Sequence, residues 1–165
     1  MGSHGYGEFS STLYDRAGRA VQDWSSHGMM LVDRYGTIRG PEFGDPRRSA
    51  PMFRVFDSAG SLRAGPRLSG HDTTYPALDG DGNAVFWRDG KLLAVDTDLR
   101  VRELFGRDDR SVAMSRVLLL DGGRLLFALG DELLVFRDTG LAALDTVPWP
   151  CGDGNIHGNP VVAFE

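Results

Sequence analysis

Apolar positions along this chain come in short bursts separated by turn residues. Asn83-Ala84-Val85-Phe86-Trp87-Arg88 runs into Asp89-Gly90, and Lys91-Leu92-Leu93-Ala94-Val95-Asp96 follows. Two β-prone runs joined by Asp-Gly predict a hairpin. Arg124-Leu125-Leu126-Phe127-Ala128-Leu129, Gly130-Asp131 and Glu132-Leu133-Leu134-Val135-Phe136-Arg137 repeat the arrangement. Helical periodicity is nearly absent. The best stretch, 12–23, is interrupted by Gly18, and 22 glycines and 8 prolines break every other candidate.

The bursts recur. Leu13-Tyr14-Asp15-Arg16-Ala17-Gly18 returns as Val55-Phe56-Asp57-Ser58-Ala59-Gly60, Ala94-Val95-Asp96-Thr97-Asp98-Leu99 and Val135-Phe136-Arg137-Asp138-Thr139-Gly140. The residues before these turns, at 14, 56, 95 and 136, are spaced by 42, 39 and 41. A second turn precedes each hairpin: Asp33-Arg34-Tyr35-Gly36, Asp79-Gly80-Asp81-Gly82 and Asp121-Gly122-Gly123. A period near 40 in a strand-rich chain predicts an all-β β-propeller, one four-stranded antiparallel blade (strands A to D) per period.

In the third period, A ends at Leu78, B is 84–88, C is 92–96 and D is 99–105. In the fourth, A is 117–120, B is 125–129, C is 133–136 and D is 141–147. In the second, B lies within 37–43 and 44–51 forms a long B–C loop. The chain opens mid-blade, with C and D at 11–14 and 20–24, and ends in an A strand at 160–164. The expected blades are therefore 6–24 plus 159–165, 25–68, 69–105 and 106–149, within one domain over 6–165. Residues 1–5 read as a cloning remnant. Pairing of the termini, with 6–9 as strand B, would close four blades. The alternative is a half-ring that associates with a second copy into eight blades, a homodimer driven by an uncovered apolar blade face.

These repeats resemble the pyrroloquinoline-quinone-like (PQQ-like) propeller repeat, in which an apolar pair, Asp, a Thr-Gly-like turn and an outer strand ending in Trp recur. Here the outer strands end at Trp24, Leu68, Phe105 and Trp149. The connections holding His27-Gly28 and His157-Gly158 also resemble the Gly-His-containing connections of WD-repeat propellers. The resemblance implies a fold, and its members include both quinone-dependent dehydrogenases and scaffolds without cofactor.

Composition narrows the function. A net charge of −5 provides no basic excess for nucleic acid. No apolar run is long enough for a membrane span. Cys151 is the single cysteine, which excludes a disulfide framework. The absence of a signal peptide and the free thiol read as cytoplasmic, or as secreted if a leader was removed.

Candidate chemistry centres on histidine. His27, His71 and His157 lie in D-to-A connections, spaced by 44 and 86 residues, close to one and two periods. Connections of this kind surround the mouth of a propeller's channel. Three imidazoles there would suit a divalent metal with an open position. The plainer reading, which we favour, has each histidine bonding a turn aspartate such as Asp89 or Asp131. Arg47-Arg48, between Pro46 and Pro51, reads as a basic loop able to grip a carboxylate or phosphate, or as solvated surface. Cys151-Gly152-Asp153-Gly154-Asn155-Ile156-His157 reads as a flexible last loop, with Asn155 and its neighbours as ligand contacts and an inert thiol. Asp79-Gly80-Asp81-Gly82-Asn83 resembles the start of a calcium loop without its later acidic ligand, hence a plain turn. The sequence thus points to a non-catalytic scaffold that binds a protein or peptide through its loop face and needs no cofactor. The alternative is a small enzyme or sensor with a metal or ligand at the channel mouth.

Overall fold

A computed structural model of the chain describes residues 11–24, 28–42, 51–57, 59–70, 73–108, 115–146 and 149–152. These residues are all-β, with no helix among them. The first hairpin comprises β1 (Ser11–Tyr14) and β2 (Ala20–Trp24). The first sheet is β3 (Leu31–Val32), β4 (Ile38–Pro41), β5 (Met52–Phe56) and β6 (Leu62–Arg67), in that order. The second is β7 (Ala77–Leu78), β8 (Ala84–Arg88), β9 (Lys91–Val95) and β10 (Val101–Gly106). The third has three strands, β11 (Leu118–Leu120), β12 (Arg124–Leu129) and β13 (Glu132–Phe136). Every pairing within the sheets is antiparallel between consecutive strands.

The three sheets stack in chain order. Alternation along β8 sends Ala84 and Phe86 to one side and Val85 and Trp87 to the other. Ala84 and Phe86 join Leu78, Leu93 and Val95 against Leu31, Phe53, Val55 and Leu68 of the first sheet and its flank. Val85 and Trp87 join Leu92 and Ala94 against Leu119, Leu125, Phe127 and Leu129 of the third. Both faces of the second sheet are thus covered, which is why β8 is buried at all five positions and reads as a continuous apolar run. Aromatic rings mark both seams. Phe53 stacks on Phe86 at 6.1 Å, and Trp87 meets Phe127 at 5.5 Å.

One turn chemistry builds five of the strand connections. In each, an Asp carboxylate and backbone close a five-residue loop. Asp33 Oδ1 accepts the N–H groups of Tyr35 and Thr37, Asp57 Oδ1 those of Ala59 and Ser61, and Asp79 Oδ1 those of Asp81 and Asn83. Asp15 Oδ1 does the same for Ala17 and Arg19, and Asp96 Oδ1 accepts from Arg100 N. The fourth residue turns back with its N–H on the Asp carbonyl and takes a positive φ: Gly18, Gly36, Gly60, Gly82 and, without glycine's freedom, Leu99 at 67°. The two turn classes visible in the sequence are therefore one Asp-x-x-Gly-x device. The Asp79 carboxylate accepts three hydrogen bonds within it, so the calcium-like spacing is a hairpin turn. The Asp121 turn is tighter, with Gly122 and Gly123 both at positive φ.

The fourth period departs from expectation. Strand D of the third sheet is expected at 141–147, but among the described residues no strand lies on the outer side of β13. Beyond Thr139, whose N–H and hydroxyl both bond Gly123 O, Gly140 at φ 69° turns the chain away. The segment then threads among the inner strands of all three sheets as a strap. Leu144 N bonds Leu119 O, Asp145 N bonds Leu78 O, Leu78 N bonds Pro150 O, and Val32 and Trp149 exchange both backbone bonds. Trp149 therefore ends no outer strand. The strands expected at 6–9 and 160–164, whose pairing would close a ring, lie outside the described residues.

Candidate functional site

His27, His71 and His157 lie outside the described residues, as do Arg47, Arg48 and Asn155. Gly28, Glu42, Gly70, Thr73 and Gly152, which border these segments, are described and lie at one end of the stack. That end is organised by Arg88, the last residue of β8.

The Arg88 side chain is 1% exposed, and three of its guanidinium nitrogens donate to main-chain carbonyls. Nε reaches Ser69 O at 2.5 Å, Nη1 reaches Glu42 O at 2.6 Å and Nη2 reaches Gly70 O at 2.7 Å. A planar, permanently charged fork suits this role, since each donor has a fixed direction and the carbonyl dipoles offset the loss of water. The second sheet thereby grips two loop bases of the first.

Each gripped residue borders a loop with candidate residues. Glu42 starts the 43–50 loop that contains Arg47 and Arg48. Glu42 closes that loop's base: its N–H bonds Met52 O, Oε2 accepts Met52 N at 2.9 Å, and Oε1 accepts Arg54 Nε at 2.8 Å. Gly28, next to His27, bridges Glu42 so closely that a Cβ would lie 2.3 Å from Pro41 O. Ser69 and Gly70 lead into His71, and Thr73 beyond it bridges back to Arg88. Gly152, which precedes the segment with Asn155 and His157, is packed on the Tyr75 ring where a Cβ would come within 2.4 Å. Cys151 beside it is buried and bridges Ala77. An inert thiol fits that position.

A hydroxyl device at this end recurs with the period. Thr74 Oγ1 accepts Trp87 N at 2.9 Å, and Ser115 Oγ accepts Ala128 N at 3.1 Å while donating to Ala128 O at 2.6 Å. It ties the entry to each inner strand onto its neighbour. Tyr75 and Arg116 then form a parallel bridge, which joins the second sheet's inner strand to the third's.

The opposite end carries the buried carboxylates. Asp79 is fully buried and accepts from Asp81 N, Asn83 N, Asn83 Nδ2 and, through Oδ2, Ala142 N of the strap at 3.1 Å. Asp33 pairs with Arg39 at 3.0 Å, and Arg39 also reaches Gly82 O of the second sheet. Asp145 of the strap holds Arg34 at 2.9 Å and, as the main cause, shifts that guanidinium's pKa further upward. These carboxylates are engaged in turns and cross-sheet ties. No group of three or more metal-ligating side chains occurs among the described residues. Sequence reasoning read Arg88 as the end of a strand and missed its anchoring role. The available signal was a charged residue closing an otherwise wholly apolar run.

No family model, curated protein or solved structure matches the chain. No helix among the described residues is long and apolar enough to cross a membrane.

Proposed function

We propose that the stacked sheets are an arc of a β-propeller, and that the chain is a non-catalytic scaffold binding a protein or peptide at the loop end around Arg88. The supporting observation is the use made of Arg88. A fully buried charge is spent on three carbonyls, which fixes the bases of loops from two sheets into one platform. Irregular loops on a rigid base are where β scaffolds present binding residues. The buried carboxylates at the other end are likewise engaged in structure.

In this reading Arg47 and Arg48 supply charge complementary to an acidic segment, and Asn155 supplies polar contact. The test is a peptide-library selection on the immobilised chain, followed by titration of selected peptides. Selected sequences should be acidic, and Arg47→Ala with Arg48→Ala should weaken them at least tenfold. Absence of any saturable peptide, or peptides indifferent to both arginines, would sink the proposal.

One observation favours a second reading. The loops bearing His27, His71 and His157 all enter or leave at this same end, as a shared divalent metal would require. Metal analysis of the purified protein separates the two. Stoichiometric metal lost in His27→Ala and His157→Ala would establish the metal centre. Metal-free protein with unchanged folding would remove it.

A further inference from the structure

The outer edge of β13 stands apart from the other outer strands. In a two-residue hairpin the residues flanking the turn form a hydrogen-bonded pair, here Leu129 and Glu132. Glu132, Leu134 and Phe136 therefore direct their backbone groups to β12. Leu133 and Val135 direct theirs to the open edge, where no described residue pairs with them. Their side chains are 65% and 57% exposed. Soluble proteins usually blunt such edges with charge or proline. The outer strand β6 carries Arg63, Pro66 and Arg67, and β10 carries Arg102 and Glu103. Within β13 the only charge is Glu132, whose carboxylate faces the second sheet and bonds Arg107 at 2.6 Å.

From this geometry we infer that β13 pairs antiparallel with β13 of a second copy about a two-fold axis at Leu134, joining two third sheets into one of six strands. The occupant follows from self-complementarity. A two-fold antiparallel pair must set outward-facing residues opposite outward-facing residues, so only alternate registers are allowed. Centring on Leu134 puts Leu133 opposite Val135 and Asp131 opposite Arg137, each twice. Moving the axis to Leu133 sets Asp131 against Val135. Moving it to Val135 sets Leu133 against Arg137. One register thus satisfies both apolar pairs and both charge pairs, and opposite charges across strands are favourable where like charges repel. The pairing is short, so the dimer is a reversible one that dissociates on dilution. It uses an edge distinct from the loop end and does not depend on how that end functions.

The experiment is sedimentation equilibrium of the full chain over a range of concentrations, with folding of each variant checked by circular dichroism. The wild type should approach twice the 18.0 kDa chain mass at the highest concentration. Asp131→Arg, which opposes two arginines at each end, should stay at monomer mass. Adding Arg137→Asp to Asp131→Arg should restore the dimer with the pair reversed. Val135→Pro should also be monomeric yet folded, because the N–H it removes is not used by β12. A monomeric wild type overturns the inference. So does a dimer indifferent to Val135→Pro, which would place the contact elsewhere. A dimer lost in Asp131→Arg and not regained in the double variant overturns the register.

Discussion

Replacing Asp79 with alanine should cost far more than the same change at Asp57, although the two carboxylates make the same turn. Asp57 is exposed and accepts two backbone N–H groups, at 2.9 and 2.8 Å. Water can take over those donors in the variant, so the loss should resemble that of a helix cap, about 1 kcal/mol. Asp79 is fully buried and accepts four donors, at 2.7 to 3.1 Å. Its two extra partners are the Asn83 side-chain amide and Ala142 N of the strap. A buried donor left without an acceptor costs roughly 1–3 kcal/mol. Partial relaxation of the strap caps the sum, which gives about 3–5 kcal/mol for Asp79→Ala. For a chain of this size, 1 kcal/mol corresponds to a Tm change of about 2–4 °C. Thermal unfolding should thus separate the two variants by at least about 4 °C. Amide exchange adds a local readout: Leu144 and Asp145, whose N–H groups bond Leu119 and Leu78, should lose protection in Asp79→Ala and keep it in Asp57→Ala. Equal losses in Tm, or unchanged exchange at 144 and 145, would refute the idea that Asp79 clamps the strap.

Arg88→Lys should destabilise by about 2–4 kcal/mol despite keeping the charge, since an ammonium cannot address three carbonyls from one plane; urea unfolding checks this, and an indifferent Arg88→Lys would remove Arg88 as the organiser of the loop end. Gly82→Ala should cost more than Gly18→Ala. Both take positive φ, worth about 1 kcal/mol each, but a Cβ at Gly82 would lie 2.9 Å from Thr97 Cγ2 whereas Gly18 has open space around it; equal Tm shifts would contradict this. Arg19, through its backbone N–H foremost and then its guanidinium, holds the Asp15 carboxyl below its ordinary value. A depressed folded value means this turn's contribution is complete above the ordinary carboxylate range and is lost as pH falls through the folded value. Carboxyl NMR titration should place Asp15 below the ordinary carboxylate value, and Arg19→Ala should move it upward.

Much of the fold was legible because the turns carry their own chemistry. The Asp-x-x-Gly spacing located strand ends to within a residue or two: 84–88 matches β8, and 11–14 and 20–24 match β1 and β2. The continuous apolar run Ala84-Val85-Phe86-Trp87 announced burial of β8 on both faces. The strap was not legible. Leu141-Ala142-Ala143-Leu144 is as apolar as a strand, and its periodicity cannot reveal that its hydrogen-bond partners lie on inner strands far back in the chain. The loop-end anchor was hidden for a similar reason. Arg88 bonds the main-chain carbonyls of Glu42, Ser69 and Gly70, a group every residue possesses, so the types of those residues did not flag it. Leu99 shows a local limit of the motif, since its side chain packs against the Phe53 and Phe86 core and holds a backbone position that glycine fills elsewhere.

The strap and the open edge of β13 are consequences of one competition. Residues 139–146 had two destinations, the outer edge of β13 or the gap among the inner strands. On the outer edge, Leu133 and Val135 present backbone groups that water satisfies, so a covering strand would exchange one set of hydrogen bonds for another with little net gain. Among the inner strands no such exchange is available. Leu78 is fully buried, and its N–H and C=O are satisfied by Pro150 O and Asp145 N of the strap. Asp79 Oδ2 takes Ala142 N, and Leu141, 5% exposed, completes the apolar seam between the second and third sheets. A buried polar group without a partner costs kilocalories, whereas an exposed one costs almost nothing. The chain therefore goes where vacancy is expensive and leaves the cheap edge open. That choice makes the third sheet three-stranded among the described residues, and it leaves the β13 edge open at the surface while the buried backbone of Leu78 is paired.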